Sequence, residues 1–211
     1  MKIGFIGCGN MAKAIIAGLI KTNTFLPEEI IASDNSEKAR SDAKNMYGIN
    51  TTVNNSELVL ESEMILLAVK PQVIASVINE ICDTVSENKI IISIVAGQSI
   101  DRIESLFGRN IKLIRTMPNT PALCGEGMTA VCANGNVTDV ELAYALKILS
   151  SFGKAEVVSE KLMDAVVAVS GSSPAYVAMF IEAMADAAVA EGMPRAQAYT
   201  FAEQAVYGTA K

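Results

Sequence analysis

Histidine is absent from the 211 residues of this sequence. Without an imidazole, the chain cannot by itself form a Ser-His-Asp triad, a Cys-His pair or a His-ligated metal site. Its chemistry must depend on other groups, and a bound cofactor is the first candidate because cofactors carry reactions that side chains cannot. We expect no metal centre, and the sequence alone identifies no catalytic side chain.

Positive charge is also in short supply, with 17 Lys and Arg residues against 23 Asp and Glu and a formal net charge of −6. A surplus of acidic residues disfavours binding to nucleic acid or to an anionic membrane surface, since both attract basic proteins. No uncharged apolar run reaches the roughly 20 residues that span a bilayer. We expect neither a nucleic acid nor a membrane as a partner.

Cysteine is scarce, with four residues at positions 8, 82, 124 and 132 and no short paired spacing. A chain of this length can build its core without disulfides, so the pattern fits a reducing compartment. Glycines, Asn10 and Lys13 interrupt the apolar N-terminal segment and argue against a secretion signal. The sequence therefore predicts a soluble, cytoplasmic protein.

Hydrophobic residues make up 51% of the sequence, which excludes a disordered chain. Up to about residue 157, short runs rich in Val, Ile and Leu alternate with helical patterns. The apolar runs predict strands at 2–7, 29–34, 49–53, 64–69, 89–96, 111–116, 128–134 and 155–159. The segments between them predict helices at 10–21, 36–47, 73–86, 99–107 and 138–152. This alternation is typical of a Rossmann-like, doubly wound and mostly parallel α/β sheet.

The pattern changes near residue 160, beyond which we expect three helices and no strand. We therefore predict a dinucleotide-binding domain at residues 1–159 and an all-helical domain at 160–211. The middle helix is apolar around most of its circumference, interrupted mainly by Glu182, Asp186 and Glu191. Such a helix is normally buried on several sides. A second copy of the chain is the simplest covering surface, and packing against the chain's own α/β domain is the alternative.

The first predicted strand leads directly into GCGNMA at residues 7–12, a G-x-G-x-x-A motif that opens a helix. Gly7 permits a tight turn, Gly9 lets the backbone approach a pyrophosphate, and Ala12 lets helix and strand pack closely. The N–H groups and the dipole of the helix N-terminus favour the phosphates. The motif predicts dinucleotide binding, with Cys8 as a small apolar residue rather than a nucleophile.

Asp34 ends the second predicted strand, at the place where an acidic side chain accepts a hydrogen bond from the ribose 2′-hydroxyl of NAD. Groups that could instead serve the 2′-phosphate of NADP are Ser33, Asn35, Ser36, Lys38 and Arg40. The choice between NADH and NADPH therefore stays open, with a slight preference for NADH.

Further segments follow predicted strands at the edge where sheets of this kind bind ligands. Lys70, in the run AVKPQ, follows the fourth strand and is expected to face the cofactor, although a surface lysine before a proline-started helix is the alternative. Residues 95–97 end the next strand with the small pair Ala96 and Gly97. The loop at residues 115–121 contains two prolines, which stiffen it, and Asn and Thr side chains as neutral donors.

Together these segments resemble the pyrroline-5-carboxylate reductases, a family that performs the last step of proline biosynthesis. The resemblance covers essentially the whole chain. It rests on GFIGCGNM at 4–11, AVKPQ at 68–72, IVAGQSI at 94–100, RTMPNTP at 115–121, SGSSPAYVAMFIEA at 170–183 and EGMPRAQA at 191–198.

The resemblance implies a set of contacts to NADPH or NADH. They fall on Ile6, Gly7, Cys8, Gly9, Asn10, Met11, Asp34, Asn35, Ser36, Asn55, Ala68, Val69, Lys70, Pro71, Val95, Ala96 and Gly97. It also places Glu160 at the substrate site, whereas the residues alone favour an ordinary acidic helix N-terminus. Finally, it implies a homodimer of intertwined C-terminal helices, in some members assembled into larger rings.

Two features depart from the family pattern. Ser173 stands where the family usually has the second glycine of a Ser-Gly-Ser-Gly-Pro-Ala-Tyr run, and we expect the serine to be tolerated. Family members also continue into a Ser-Pro-Gly-Gly-Thr-Thr-like loop that contacts the substrate carboxylate, whereas this sequence stops at Lys211. We therefore expect either a truncated form or an incomplete substrate site.

The resemblance leads to the hypothesis of an oxidoreductase that transfers hydride from a reduced nicotinamide to the C=N carbon of 1-pyrroline-5-carboxylate, giving L-proline. A protonated cyclic imine is already a strong hydride acceptor, so positioning and electrostatics suffice without a histidine acid. One alternative is a β-hydroxyacid dehydrogenase, disfavoured because no lysine lies between Lys161 and Lys211. The other is a nucleotide-binding or sensing protein without turnover.

Overall fold

The computed structural model describes residues 2–211, which form one compact unit ending at Val166 and a second spanning Val167–Lys211. The strands are β1 Ile3–Ile6, β2 Ile30–Ser33, β3 Asn50–Thr52, β4 Met64–Leu67, β5 Ile90–Ser93, β6 Lys112–Met117, β7 Gly127–Ala133 and β8 Gly153–Val157. The α-helices are α1 Asn10–Lys21, α2 Glu37–Tyr47, α3 Asn55–Glu61, α4 Ile74–Ile81, α5 Ile100–Phe107, α6 Asp139–Leu149, α7 Met163–Val166, α8 Ser173–Ala190 and α9 Arg195–Ala210. The boundary between the two units, after Val166, therefore lies within the helical C-terminal region, seven residues beyond the boundary expected from the sequence at residue 159.

All eight strands lie in one sheet, in the order β3-β2-β1-β4-β5-β6-β7-β8. Neighbouring strands are parallel except β6 and β7. At the centre, Phe5 of β1 pairs with Ala32 of β2 and with Leu66 of β4. The strand order reverses between β1 and β4, which opens a crevice at the carboxyl ends of the strands. The predicted Rossmann-like, mostly parallel sheet followed by helices is confirmed.

The strands β1, β2, β4 and β5 consist of nearly continuous apolar runs because both faces of the sheet are covered, so that every residue of these strands is buried. Alternate residues of β1 face opposite sides, with Phe5 in one buried cluster and Ile6 in the other. In β4, Leu66 joins the cluster containing α1, while Leu67 joins the cluster containing α4. Fully burying one such side chain contributes roughly 1.5–3 kcal/mol, so the strands are stabilised mainly by these two layers.

Two details of the sequence prediction need correction. Helix α3 was absent from it, because its seven residues depend on an Asn54 side-chain cap that accepts from the Glu57 N–H at 3.1 Å. Helix α4 ends at Ile81 rather than continuing to residue 86, since Arg109 donates to the carbonyls of Cys82 and Val85. The antiparallel pairing of β6 with β7 agrees with the predicted mostly parallel sheet, and it arises because the nine residues between Met117 and Gly127 are too few for a crossover, which needs a dozen or more.

The second unit consists of a π-helical turn at Val167–Gly171 followed by α8 and α9. Its buried residues are three alanines, at positions 185, 198 and 202, which let the two helices approach closely. Ser173 begins α8 in helical conformation, and its hydroxyl donates to the carbonyl of Val169. The serine therefore occupies this position without demanding the backbone freedom of glycine.

Candidate functional site

A cleft of about 870 Å³ opens at the carboxyl edge of the sheet, where β1, β2 and β4 end. The strand order reverses here, and open α/β sheets bind their ligands at this position. The lining residues are Ile6, Gly7, Gly9, Asn10, Met11, Ala12, Ser33, Asp34, Asn35, Asn55, Ala68, Val69, Lys70, Pro71, Val73, Ser76, Val77, Glu80, Ile94, Ala96, Met117, Pro118 and Thr120. All of them belong to the first unit.

The loop between β1 and α1 has two glycines with different structural roles. Gly7 has φ 106°, and a Cβ there would lie 2.5 Å from the carbonyl oxygen of Ala68, so a larger residue does not fit. Gly9 has φ −71° and ψ 179°, and a Cβ there would meet no heavy atom of residues 2–211 within 4 Å. Gly7 therefore serves the fold, whereas Gly9 keeps the cleft open.

The N-terminus of α1 has the donor chemistry of a pyrophosphate site. Its N-cap is Gly9, which has no side chain to satisfy the first N–H groups, and its first turn contains no acidic residue. Those N–H groups and the positive end of the helix dipole favour an anion at this position. The residues present therefore fit the diphosphate of a dinucleotide.

Asp34 is held in a fixed position at the end of β2. Its Oδ2 accepts the Cys8 backbone N–H at 2.9 Å, and its Oδ1 accepts the Ser36 N–H at 2.8 Å. Arg40 donates through Nη1 to the Asp34 backbone carbonyl at 2.6 Å. These bonds join the glycine loop, β2 and α2, and they fix a carboxylate beside the cleft.

A chain of three polar side chains extends from β2 to α4. The Ser33 hydroxyl donates to Oδ1 of Asn55 at 2.6 Å, and Nδ2 of Asn55 donates to Oε2 of Glu80 at 2.9 Å. Ser33 is fully buried and Asn55 nearly so, whereas Glu80 is exposed. The buried amide and hydroxyl satisfy each other, as buried polar groups must.

The segments after β4 and β5 lie at the same edge. Ala68, Val69 and Pro71 line the cleft together with Lys70, whose side chain is exposed and lies just before the turn into α4. Ala96, three residues after the end of β5, also lines the cleft. The predicted position of Lys70 beside the cleft is what the structure shows, while its contact with a cofactor stays a prediction.

Most of the predicted cofactor residues come together in this cleft, and four lie outside its lining: Cys8, Ser36, Val95 and Gly97. Cys8 and Val95 are buried. Ser36 is the N-cap of α2, where its Oγ accepts the Ala39 N–H at 3.3 Å. Gly97 occupies an exposed turn with φ 70°. Cofactor contact by these four stays a prediction.

One wall of the cleft was not predicted from the sequence. That wall is a face of α4 and the turn before it, formed by Val73, Ser76, Val77 and Glu80. Their spacing is that of one helix face, but the mixture of apolar and polar types on that face did not indicate a ligand. Met117, the last residue of β6, and Pro118 also line the cleft, and both belong to the 115–121 segment that the sequence had placed at this edge.

Glu160 lies apart from this cleft. Its Oε1 accepts the Ile100 N–H at 2.8 Å, at the start of α5, and pairs with Nη1 of Arg115 at 2.7 Å. It borders a separate hollow of about 720 Å³. An acidic side chain at a helix N-terminus is favourable, so these contacts explain Glu160 structurally, and its role at a substrate site stays a prediction.

The Cys8 thiol has the properties of an apolar filler. It is 1% exposed, and burial, assisted by the Asp34 carboxylate, raises its pKa to about 11. Because the thiolate is the reactive form, we expect iodoacetamide near pH 7 to leave Cys8 unmodified while the exposed Cys124 reacts. Peptide mass spectrometry of the folded protein measures this, and alkylation of Cys8 as fast as Cys124 would contradict it.

Within residues 2–211, no three His, Cys, Asp or Glu side chains are grouped closely enough to hold a metal ion.

The second unit exposes a large apolar surface on α8 and α9. Its members are Tyr176, Val177, Met179, Phe180, Phe201 and Tyr207, each between 41% and 66% exposed. We call this set the α8–α9 surface. By length and composition alone, the helical run Glu160–Ala190 would also suffice to cross a membrane. Exposed apolar area of this extent marks a surface that another molecule covers.

Comparison with known proteins gives matches over both units. Residues 2–97 match the family model described as NADP oxidoreductase coenzyme F420-dependent, and residues 160–211 match the one described as pyrroline-5-carboxylate reductase dimerisation. A pyrroline-5-carboxylate reductase from Escherichia coli (strain K12) is 49% identical over 210 residues, covering 100% of this chain and 78% of that protein.

Two solved structures are similar over the whole chain. A pyrroline-5-carboxylate reductase from Coxiella burnetii has a TM-score of 0.93 and 35% identity, covering 99% of this chain and 78% of its own. A pyrroline carboxylate reductase from Plasmodium falciparum, solved with NADP bound, has a TM-score of 0.91 and 35% identity. The match covers 100% of this chain and 77% of that chain.

Proposed function

This chain belongs to the pyrroline-5-carboxylate reductase family, and we propose that it reduces 1-pyrroline-5-carboxylate to L-proline with NADH or NADPH, as the last step of proline biosynthesis. The observation that carries the proposal is the uncapped N-terminus of α1 at Gly9, which opens into the cleft at the strand-order reversal. The names of the relatives identify the substrate, and the cleft supplies the means of binding the cofactor.

The cofactor extends along the cleft in an orientation set by the fold. We assign the pyrophosphate to residues 6–11, where the donors of α1 meet it, and the adenosine ribose to residues 34–36 at the end of β2. Asn55 supports this end through Ser33. The nicotinamide then lies toward Lys70 and residues 95–97, on the β4 and β5 side of the sheet.

The main contribution of the side chains to the reaction is to position the cofactor and the substrate. When bound, the reduced nicotinamide supplies the hydride. The carbon of the protonated C=N bond accepts it, and the bond's electron pair moves to nitrogen, giving the secondary amine of proline. An iminium is electrophilic before any enzyme acts on it, so orientation and exclusion of water account for the catalysis. A chain without histidine is compatible with this chemistry.

The second unit serves self-association, consistent with the dimerisation family model matched by residues 160–211. We assign the α8–α9 surface to a homodimer interface, and we propose that such dimers assemble further into a ring, as the family resemblance implies. On this assignment a second chain covers the apolar run Glu160–Ala190, and the protein is cytoplasmic and independent of membranes. The acidic net charge of −6 supports the absence of nucleic acid and anionic lipid partners.

The test follows the near-ultraviolet absorbance of NADH or NADPH as the purified protein meets 1-pyrroline-5-carboxylate. We expect loss of absorbance that requires the imine and yields L-proline, identified by chiral amino-acid analysis. A reaction without the imine is the control. Nucleotide binding with no oxidation would assign this chain a binding role alone. Oxidation of NADH or NADPH that requires a 3-oxoacid in place of the imine, and that yields the 3-hydroxyacid, would assign it to the β-hydroxyacid dehydrogenases.

A further inference from the structure

The charged side chains that line the cleft are unevenly distributed. Among the described lining residues they are Asp34, Glu80 and Lys70. Lys70 follows β4, on the side assigned to the nicotinamide. The two acidic residues lie at the other end, since Asp34 follows β2 directly and Glu80 is joined to Ser33, the last residue of β2, through Asn55. The end assigned to the adenosine ribose therefore carries two carboxylates.

The Asp34 carboxylate cannot turn away from this end. Both of its oxygens accept backbone N–H groups, one from Cys8 in the glycine loop and one from Ser36. A carboxylate held in this way still has lone pairs for a donor such as a ribose hydroxyl. A 2′-phosphate has no proton to offer, and with a charge of about −1.5 to −2 it would be repelled.

The donors that could compensate for this repulsion are engaged elsewhere. Ser33 gives its hydroxyl proton to Asn55, and Nδ2 of Asn55 donates to Glu80. Ser36 caps α2. The two nearby cations, Lys38 and Arg40, are not among the lining residues, and Arg40 donates to the Asp34 backbone carbonyl. Phosphate sites in proteins use arginine forks or several convergent donors, and Asn35 alone adds only a neutral amide.

We propose that this cleft selects NADH over NADPH, with Asp34 and Glu80 as the residues that disfavour the 2′-phosphate. The inference rests on the proposed function, because it takes the cofactor to lie with its adenosine ribose at β2. It resolves the choice that the sequence leaves open. Repulsion between these two carboxylates and a 2′-phosphate, partly screened by solvent, is expected to disfavour the phosphorylated cofactor by at least about tenfold.

Binding without turnover tests the proposal most directly. The probes are ADP-ribose and its 2′-phosphorylated form, titrated calorimetrically into the full chain at one fixed ionic strength. We expect ADP-ribose to bind at least about tenfold more tightly, and the kcat/KM ratio of NADH to NADPH to show the same preference. Equal or tighter binding of the phosphorylated probe would overturn the proposal.

Two variants test the contribution of each negative charge to the selectivity. Glu80→Gln keeps an oxygen for Asn55 while removing one negative charge from an exposed helix position. Asp34→Ser removes the second negative charge and adds a hydroxyl group that can donate a hydrogen bond. We expect each to reduce the preference for ADP-ribose by at least about threefold. Glu87→Gln, an exposed acid outside the cleft lining, is the matched control and is expected to leave the ratio unchanged.

The outcomes distinguish this inference from the proposed function. If ADP-ribose binds preferentially but no imine-dependent oxidation occurs, the selectivity stands and the reductase assignment fails. If turnover occurs with equal kcat/KM for the two cofactors, or if neither Asp34→Ser nor Glu80→Gln changes the ratio, the selectivity proposal fails and the reductase assignment stands. If neither probe binds, both fail.

Discussion

Gly9→Val is expected to weaken dinucleotide binding at least about a hundredfold while leaving the fold intact. The backbone of Gly9, at φ −71° and ψ 179°, is one that valine adopts readily, and a Cβ there meets nothing within 4 Å among residues 2–211. The added methyl groups therefore project toward the place where a pyrophosphate approaches the α1 donors. Calorimetric titration with NADH, together with a thermal melt, measures the two effects separately.

Two other glycine substitutions serve as a control and a comparison for Gly9→Val. Gly135→Val makes the same exchange at an exposed loop glycine that also has open space around its Cβ and lies outside the cleft, so we expect unchanged binding. Gly7→Ala should instead lower the melting temperature by roughly 5 °C, since its Cβ overlaps the Ala68 carbonyl and its φ is strained. If Gly9→Val binds NADH as the unmodified chain does, the pyrophosphate assignment is wrong.

Much of the fold could be predicted because burial on both faces of the sheet leaves a clear pattern. Runs such as Met64–Leu67 and Ile90–Ser93 have almost no polar interruption, which amphipathic helices and one-sided strands do not show. The features that were missed depend on interactions between distant segments. The end of α4 depends on Arg109, twenty-eight residues beyond Ile81.

The candidate site divides in the same way. The glycine loop and Asp34 could be predicted because a motif with fixed spacing follows a strand, and the 68–71 segment because its strand ends at the same edge. The wall formed by α4 could not, since Ser76 and Glu80 reach the cleft only through the packing of that helix. The pairing of Glu160 with Arg115 joins residues 45 positions apart and left no local pattern.

Phe180→Lys is expected to convert the self-associated protein into a monomer. Phe180 is 58% exposed and belongs to the α8–α9 surface, where burial by a second copy would remove its ring from water. In a twofold-symmetric dimer each substitution acts twice. At about 2 kcal/mol for each buried aromatic, the dissociation constant rises about a thousandfold. Size-exclusion chromatography with light scattering, over a series of protein concentrations, measures the change.

Leu60→Lys provides the matched control, because Leu60 is 69% exposed on α3 of the first unit, outside the α8–α9 surface. It should leave the oligomeric state unchanged. The same variants also distinguish a protein partner from a lipid one. If the α8–α9 surface enters a bilayer instead, the unmodified chain will float with lipid vesicles and remain monomeric in detergent, and Phe180→Lys will abolish flotation. A dimer that survives Phe180→Lys with an unchanged dissociation constant would show that Phe180 lies outside the interface, and that the apolar face of α8 has another purpose.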